Sequence, residues 1–153
     1  MISMRSKYAL KALGYMARNP EKESFLIAEI AQAEGIPKKF LEAILLTLKN
    51  NGILSSRKGP GGGYAMAKAP ATVTIGAIVR SFEGDLAPVQ CLSETAHASC
   101  PECGDEDTCG IRLVMADVSQ AVSSVLDTVT LADMLQRSEF ERQKRQQVVD
   151  FAI

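Results

Sequence analysis

The 153-residue chain has no long hydrophobic run, no recognisable secretory leader and no internal repeat. Its apolar stretches fall short of the roughly 18 consecutive residues that a membrane-spanning helix needs. The positive charges near the N-terminus interleave with apolar residues at helical spacing, so the separate apolar region of a signal peptide is missing. We therefore expect a cytoplasmic protein that does not bind a membrane, a setting in which structural disulfides are disfavoured.

Cysteine is absent except for four residues within one stretch of nineteen: Cys91, Cys100, Cys103 and Cys109. Scattered thiols are usually small core residues, whereas four thiols in one polar loop are typical of a ligand set or a redox site. The surrounding residues, 83–107, form a long loop with seven acidic residues and no lysine or arginine. The single histidine, His97, lies in the same loop, where it is expected to be mainly solvated.

Positive charge is scarce in the second half of the chain. Residues 1–68 hold 11 Lys and Arg against 5 Asp and Glu, whereas residues 69–153 hold 6 against 13. The net charge of −1 thus hides a basic half of +6 and an acidic half of −7. A basic half points to an anionic partner such as DNA, although a lysine-rich surface has the same composition.

Three helices are predicted in the basic half, where apolar residues recur at helical spacing. They cover residues 3–18, 27–34 and 37–50, and Gly35 fits the cap of the second. Pro37 fits the first turn of the third helix, where its missing N–H costs nothing. That helix is expected to bury five apolar side chains: Phe40, Leu41, Ile44, Leu45 and Leu48.

The second and third helices, joined by a short turn that contains glycine, are typical of a helix-turn-helix. The N-terminal part of its second helix reaches base edges in the major groove of DNA. In this chain that part presents Lys38, Lys39 and Glu42 outward. An αα-hairpin with a solvated polar face would produce the same pattern.

A glycine-rich hairpin is predicted directly after these helices, with strands at residues 53–57 and 64–67. Glycines let the backbone approach a phosphate chain, and basic residues supply charge. The expected DNA contacts of this wing are Arg57, Lys58, Gly61 and Gly62. The phosphate-binding loop of an NTPase is excluded because no Gly-Lys-Ser/Thr follows the glycines and no helix opens after them.

The acidic half is predicted to contain further helices, beginning with residues 75–82 behind a Thr74 cap. From about residue 110, apolar residues recur at spacings of four and three: Ile111, Met115, Val118, Val122, Val125 and Val129. This seam is typical of a long dimerisation helix, although a core stripe has the same periodicity. A closing helix over residues 131–137 follows, and the polar residues 138–153 extend it or fray.

Three stretches carry a resemblance to a known family. They are SKYALKAL at residues 6–13, IAEIAQAEGIPKKFLEAILLTLKNNGIL at 27–54, and SSRKGPGGGYAMAKAP at 55–70. They closely resemble the IscR/NsrR/CymR family of bacterial winged-helix regulators (the Rrf family). The resemblance implies a homodimer on a two-fold DNA site and, in many members, an iron–sulfur cluster in the loop before the dimer helix.

The cysteine pattern departs from that of the family. Members with a cluster typically place three cysteines here, and the matching positions are Cys91, Cys103 and Cys109. The gap after the first is longer than usual and contains an additional thiol, Cys100. The histidine that is the fourth ligand in the IscR-like subgroup corresponds to Arg112, which cannot ligate. The acidic ligand of NsrR-like members corresponds to Lys7.

Three hypotheses for the role of the cysteines remain. In the first, all four cysteines hold a [2Fe–2S] or [4Fe–4S] cluster, and Cys100 replaces the missing family ligand. In the second, the same sulfurs bind zinc, with or without His97 in place of one of them. In the third, Cys100 and Cys103 form a reversible disulfide.

We expect a mainly α fold with a small β-hairpin. The predicted parts are a winged helix-turn-helix domain at residues 1–82, a cysteine-rich sensor loop at 83–109, dimerisation and closing helices at 110–137, and a polar tail at 138–153. The predicted function is a dimeric, non-enzymatic transcriptional regulator that binds a palindromic DNA operator and senses iron–sulfur or redox status. The alternatives are a regulator with a zinc or disulfide loop, or a small redox protein.

Overall fold

The structure is a computed structural model that describes residues 2–151. Its elements are α1 (Met4–Arg18), α2 (Ile27–Glu34), α3 (Lys38–Asn50), β1 (Leu54–Arg57), β2 (Gly63–Met66), α4 (Ile75–Glu83), α5 (Gly110–Thr128) and α6 (Leu131–Phe151). The expectation of a mainly helical fold with one small hairpin is confirmed. No helix within residues 2–151 is long and apolar enough to cross a membrane.

The hydrophobic core lies among α1, α2, α3 and α4, and the start of α6 closes it. Its fully buried large side chains are Leu13, Met16, Ile30, Leu41, Ile44, Leu45, Leu48, Ile78, Val79 and Leu131. Gly35 ends α2 with a φ of 64°, a left-handed conformation that favours glycine. This cap sets the turn between the two helices of the helix-turn-helix.

The expectation that Phe40 is buried is wrong, because its side chain is 57% exposed. The other four apolar residues predicted for the buried face of α3 are buried. Successive helical residues project about 100° apart, so Phe40, one residue before Leu41, lies outside the buried arc. Pro37 also differs slightly from its predicted place, since it caps α3 and Lys38 begins the helix.

The wing is an antiparallel hairpin in which Leu54 pairs with Met66 and Arg57 pairs with Gly63. Phe25 adds an isolated bridge, donating to the Tyr64 carbonyl at 2.8 Å and accepting from the Tyr64 N–H at 2.9 Å. A Cβ at Gly63 would stand 2.1 Å from the Phe25 carbonyl oxygen, so the close approach requires glycine there. The segment before α2 therefore fixes the base of the wing.

The junction between α5 and α6 is bonded to the start of α4. The Ile75 N–H donates to the Val129 carbonyl and the Leu131 N–H to the Val73 carbonyl, both at 2.8 Å. Thr130 caps α6 through Asp133, whose N–H donates to the threonine hydroxyl at 3.1 Å. The C-terminal end of α5 is thus held firmly on the first four helices of the chain.

The closing helix does not end near residue 137 but continues to Phe151. Of the two outcomes that the polar tail allowed, extension is the one observed. Residues 138–147 are exposed, and ion pairs one turn apart join Arg142 to Glu139 and Lys144 to Glu141. Residues 152–153 lie outside the described part of the chain.

Gly76 allows α4 and α5 to approach each other. A Cβ at this position would stand 2.2 Å from Asp127 Oδ1 and 3.0 Å from the Leu126 carbonyl oxygen. We expect Gly76→Ala to lower the free energy of unfolding by about 1–3 kcal/mol, although alanine in a helix usually gains about 1 kcal/mol over glycine. Urea unfolding measures this change.

The matched control for this prediction is Gly110→Ala in the first turn of α5, where nothing lies within 4 Å of the added carbon. It should be neutral or slightly stabilising. Equal stability of the two variants would show that the α4–α5 contact is loose.

Candidate DNA interface and cysteine cavity

Helix α3 presents the polar side chains that the sequence predicted for base contact. Lys38, Lys39 and Glu42 are all exposed near its N-terminus. The buried face of the same helix packs into the core through Leu41 and Leu45, so the outward face is rigidly positioned. The three side chains predicted for base contact are therefore open to solvent on a fixed helix.

The wing brings additional charge to the same part of the molecule. Lys58 and Gly61 are exposed in the turn, and Gly62 is half-buried. Arg57 is 53% exposed in its side chain and pairs with Glu23 at 3.0 Å. Sequence reasoning missed this partner because it lies 34 residues away. An exposed pair of this kind contributes at most about 1 kcal/mol, so a phosphate can compete for the guanidinium.

Helix α5 leaves an apolar face uncovered in the single chain, and none of its residues is fully buried. Two residues of the predicted seam are not part of this uncovered face: Met115 is half-buried, and Val129 packs against the core. At about 100° per residue, Leu113 projects away from the other exposed apolar residues, which share one side of the helix. These residues, called the apolar face of α5, are Ile111, Val114, Val118, Val122 and Val125. The alternative of an intramolecular core stripe therefore fails for most of the seam.

All four cysteines line one cavity of about 420 Å³ at the N-terminal end of α5. Cys91 lies on a short 3-10 turn, Gln90–Leu92, and Cys109 is the N-cap residue of α5. Cys100 is exposed, whereas the other three thiols are half-buried, and all four are free. Within residues 2–151, no group of three or more His, Cys, Asp or Glu side chains is arranged to hold a single metal ion.

The thiols of this cavity differ in acidity. The pKa of Cys109 is lowered, chiefly by a hydrogen bond from the backbone N–H of Arg112 in the first turn of α5. Together with smaller effects of the same sign, this hydrogen bond outweighs burial, which raises the pKa. Burial, followed by a hydrogen bond with Cys109, raises the pKa of Cys103. Cys109 is therefore the thiol of this contacting pair that ionises first.

Cys100 has a different partner. Its thiol donates to Glu102 Oε2 at 2.9 Å, and this hydrogen bond to a carboxylate raises the pKa of Cys100. Ionisation of Cys100 requires this contact to open. A cation or cluster that binds the sulfur would displace the proton from the Glu102 contact.

His97 does not line the cysteine cavity. Its Nε2 lies 3.1 Å from Glu106 Oε2, and hydrogen bonds from Ser99 and His97 lower the pKa of Glu106. Arg112 lies on the cavity wall, with its Nε 4.0 Å from the same carboxylate oxygen. The acidic loop is thus joined to the first turn of α5 by Glu106.

Asp85 orders the first part of the loop. Its Oδ2 accepts from the Ser93 hydroxyl at 2.5 Å, the Thr95 hydroxyl at 3.0 Å and the Thr95 N–H at 3.2 Å. These hydrogen bonds, led by that from Ser93, lower the pKa of Asp85 to about 2. The loop that carries Cys91 is consequently held in a defined conformation at neutral pH.

A bidentate ion pair joins α5 to the winged helix. Both terminal guanidinium nitrogens of Arg80 in α4 donate to the Asp127 carboxylate, Nη1 to Oδ1 and Nη2 to Oδ2, the latter at 3.0 Å. Arg80 Nη2 also lies 3.5 Å from the Ser123 hydroxyl. Sequence reasoning missed this link, because the residues are 47 positions apart and neither belongs to a motif.

The sequence profile of the Rrf2 family, described as iron-dependent transcriptional regulators, matches residues 2–137. The chain belongs to the Rrf2 family. An rrf2-like HTH-type regulator of Rhodobacter capsulatus is 44% identical over 138 residues, which cover 88% of this chain and 92% of that protein. The HTH-type regulator NsrR of Geobacillus kaustophilus is 35% identical over 131 residues, or 86% of each chain.

Solved structures of Rrf2-type regulators agree with the fold. CymR, the global cysteine regulator of B. subtilis, superposes with a TM-score of 0.73 at 27% identity, covering 90% of this chain and 97% of that one. IscR of T. potens superposes with a TM-score of 0.70 at 25% identity, covering 90% and 88%. The predicted family, winged-helix fold and non-enzymatic role in DNA-binding regulation are confirmed by these findings.

Proposed function

We propose that this Rrf2 protein is a homodimeric regulator that reads a palindromic operator and senses iron–sulfur or redox status through its four cysteines. The observation that carries the proposal is the position of the thiols. All four line one cavity at the beginning of α5, and the other end of α5 is bonded to the DNA-reading part of the chain. A change in the cavity can therefore act on the winged helix through one rigid element.

The proposed DNA surface consists of the N-terminal part of α3 and the wing. Its side chains and backbone positions are Lys38, Lys39, Glu42, Arg57, Lys58, Gly61 and Gly62. Lysines and arginines in this set would bind phosphates, Glu42 would accept from a cytosine amino group, and the glycines would let the wing approach the backbone. The basic charge of residues 1–68 supports this assignment.

The proposed dimer uses the apolar face of α5. Two such faces, packed against each other about a two-fold axis, would remove Val118, Val122 and Val125 from water. The same axis would relate two recognition helices, so the operator is expected to be palindromic.

Cys91, Cys100, Cys103 and Cys109 are the proposed cofactor ligands. The donor set fits an iron–sulfur cluster, because thiolates are the ligands that such clusters prefer and four of them share one cavity. When bound, the cluster supplies one-electron redox chemistry and sensitivity to oxidants. The protein contributes a Cys109 thiol of lowered pKa, and Cys100 stands in for the ligand that Arg112 cannot provide.

Coupling to DNA would run through α5. Ligand bonds to the thiols would fix the loop and the N-terminal end of α5 in one orientation. The Arg80–Asp127 ion pair and the backbone bonds at Ile75 and Leu131 would pass that orientation to α4 and the core beneath α3. Loss of the bonds would release the part of the loop that carries Cys100 and Cys103 and change DNA affinity.

Two alternatives to the cluster are a zinc ion bound by the same sulfurs and a reversible disulfide between two of them. In the disulfide hypothesis, the sequence predicted a bond between Cys100 and Cys103, but the surroundings of these thiols favour a different pair. The neighbouring Cys109 thiol contributes to the raised pKa of Cys103, whereas the Cys100 thiol donates to Glu102. We therefore propose Cys103 and Cys109 as the pair of the disulfide hypothesis.

The wing assignment is tested with Arg57→Ala. Because a phosphate contact releases about one counterion, the variant should bind all duplexes more weakly, and the slope of log affinity against log salt should flatten by about one. Fluorescence anisotropy at several salt concentrations measures both quantities.

The matched control is Glu23→Gln, which removes the negative charge that pairs with Arg57 and leaves the guanidinium in place. It should bind DNA as well as the wild type or slightly better. Unchanged affinity and slope in Arg57→Ala would remove the wing from the interface.

A further inference from the structure

Helix α3 carries three apolar residues on its exposed side: Phe40, Ala43 and Leu46. Phe40 is 57% exposed and Leu46 is 49% exposed, although both are large. Residues three apart are neighbours on a helix surface, so the three follow one another along a single line. We refer to them as the apolar ridge.

The apolar ridge crosses the face opposite the core. It runs beside Lys39 and Glu42, two of the side chains assigned to base contact. At its N-terminal end, Phe40 and Ala43 line a shallow groove of about 330 Å³ together with Arg5 and Phe82. The outward face of α3 therefore combines an apolar line with the charged side chains Lys39 and Glu42 beside it.

The position of the ridge limits what can cover it. The apolar face of α5 already serves the proposed contact between two copies, and it lies on a different element. Lys39 lies beside the ridge and Arg5 lines the groove at its N-terminal end, and these two cations favour an anionic partner over an apolar protein surface. In the major groove, the apolar group that base edges display is the C5-methyl of thymine, and apolar side chains recognise it.

We propose that the apolar ridge reads thymine methyl groups in the operator. Leu46 and Ala43 pack on methyls in the major groove, and Phe40 covers a further methyl or the sugar edge beside it. Lys39 and Glu42 supply polar contacts to neighbouring bases. This inference rests on the proposed placement of α3 in the major groove.

Uracil substitution tests the proposal, because uracil differs from thymine only by the missing methyl. The full-length protein first selects its binding duplex from a randomised library. Each thymine of the selected duplex is then replaced singly by uracil, and affinity is measured at fixed salt. At one or more thymines we expect binding to weaken about three- to fivefold, the value of one buried methyl.

Variants of the ridge assign the effect to its residues. Leu46→Ala should bind the thymine duplex more weakly than wild type does, and the thymine–uracil difference should disappear at the position that Leu46 reads. If Phe40 packs on a further methyl, Phe40→Ala should abolish the thymine–uracil difference at that second position. If Phe40 packs on the sugar edge, the variant should keep the difference at the position that Leu46 reads. Both side chains are about half exposed, so circular dichroism should show folded proteins.

Lys58→Ala is the control, because it lies on the wing. It should lower affinity for both duplexes while keeping the thymine–uracil difference. The proposal is overturned if no uracil weakens wild-type binding, or if Leu46→Ala and Phe40→Ala both keep every difference. Failure to select any duplex would instead overturn the proposed DNA-binding function itself, and this inference with it.

Discussion

The variant Val122→Asp is expected to sediment as a monomer and to lose operator binding. Val122 is 42% exposed in the single chain and lies in the middle of the apolar face of α5. If that face packs against its copy, the substitution places two carboxylates in the interface without partners. Burial of unpaired charge costs several kcal/mol, and about 4 kcal/mol weakens dimerisation roughly a thousandfold.

The control for this variant is Gln120→Asp, which adds the same charge at an exposed position of α5. Two residues correspond to about 200° of helical rotation, so Gln120 projects from nearly the opposite side to Val122. This control should remain dimeric and bind DNA normally. Sedimentation velocity at several concentrations measures the oligomeric state, and anisotropy measures DNA binding. A dimeric Val122→Asp would mean that the exposed valines are not the dimer contact.

Replacement of Cys100 by serine should be as damaging to the cofactor as replacement of any other cysteine of the cavity. Cys100 is the thiol that the family pattern lacks, and it occupies the cavity together with Cys91, Cys103 and Cys109. Serine offers a hard hydroxyl in place of a soft thiolate, so little cluster should remain. The visible spectrum and iron content of anaerobically purified variants measure the loss.

His97→Ala separates the two candidates for the fourth ligand. His97 contacts Glu106 and does not line the cavity, so this variant should keep a normal cluster and a normal DNA response. If Cys100→Ser kept its cluster while His97→Ala lost it, the ligand assignment would be reversed. If both kept it, the fourth ligand would come from the partner chain.

Local patterns were sufficient to predict most of the fold. The helical spacing of Leu41, Ile44, Leu45 and Leu48 identifies the buried face of α3, and the glycine-rich turn identifies the wing. Phe40 shows where counting apolar residues fails. Helix α3 has apolar residues on two sides, and spacing alone assigns Phe40 to the buried one.

Contacts between distant residues could not be predicted. The approach of Gly76 to Asp127 and the ion pair of Arg80 depend on how α5 lies across α4, which no local motif encodes. The periodicity of α5 likewise fits a core stripe or an interface equally well. The exposure of Val118 and Val122 in the folded chain excludes the core stripe for these positions.

The cysteine cluster was evident from the sequence, but its internal contacts were not. Sequence spacing suggested Cys100 and Cys103 as the redox pair. In the folded loop, Glu102 holds the Cys100 thiol and Cys109 approaches Cys103. These contacts depend on the conformation of the whole loop, the first part of which Asp85 orders through Ser93 and Thr95.

The most direct test is the visible spectrum of the wild-type protein purified without oxygen, together with its iron, sulfide and zinc content. The proposed function predicts a brown protein with iron and acid-labile sulfide in about equal amounts and negligible zinc. A colourless protein with about one zinc per chain would contradict the iron–sulfur assignment and leave a zinc-containing regulator in its place.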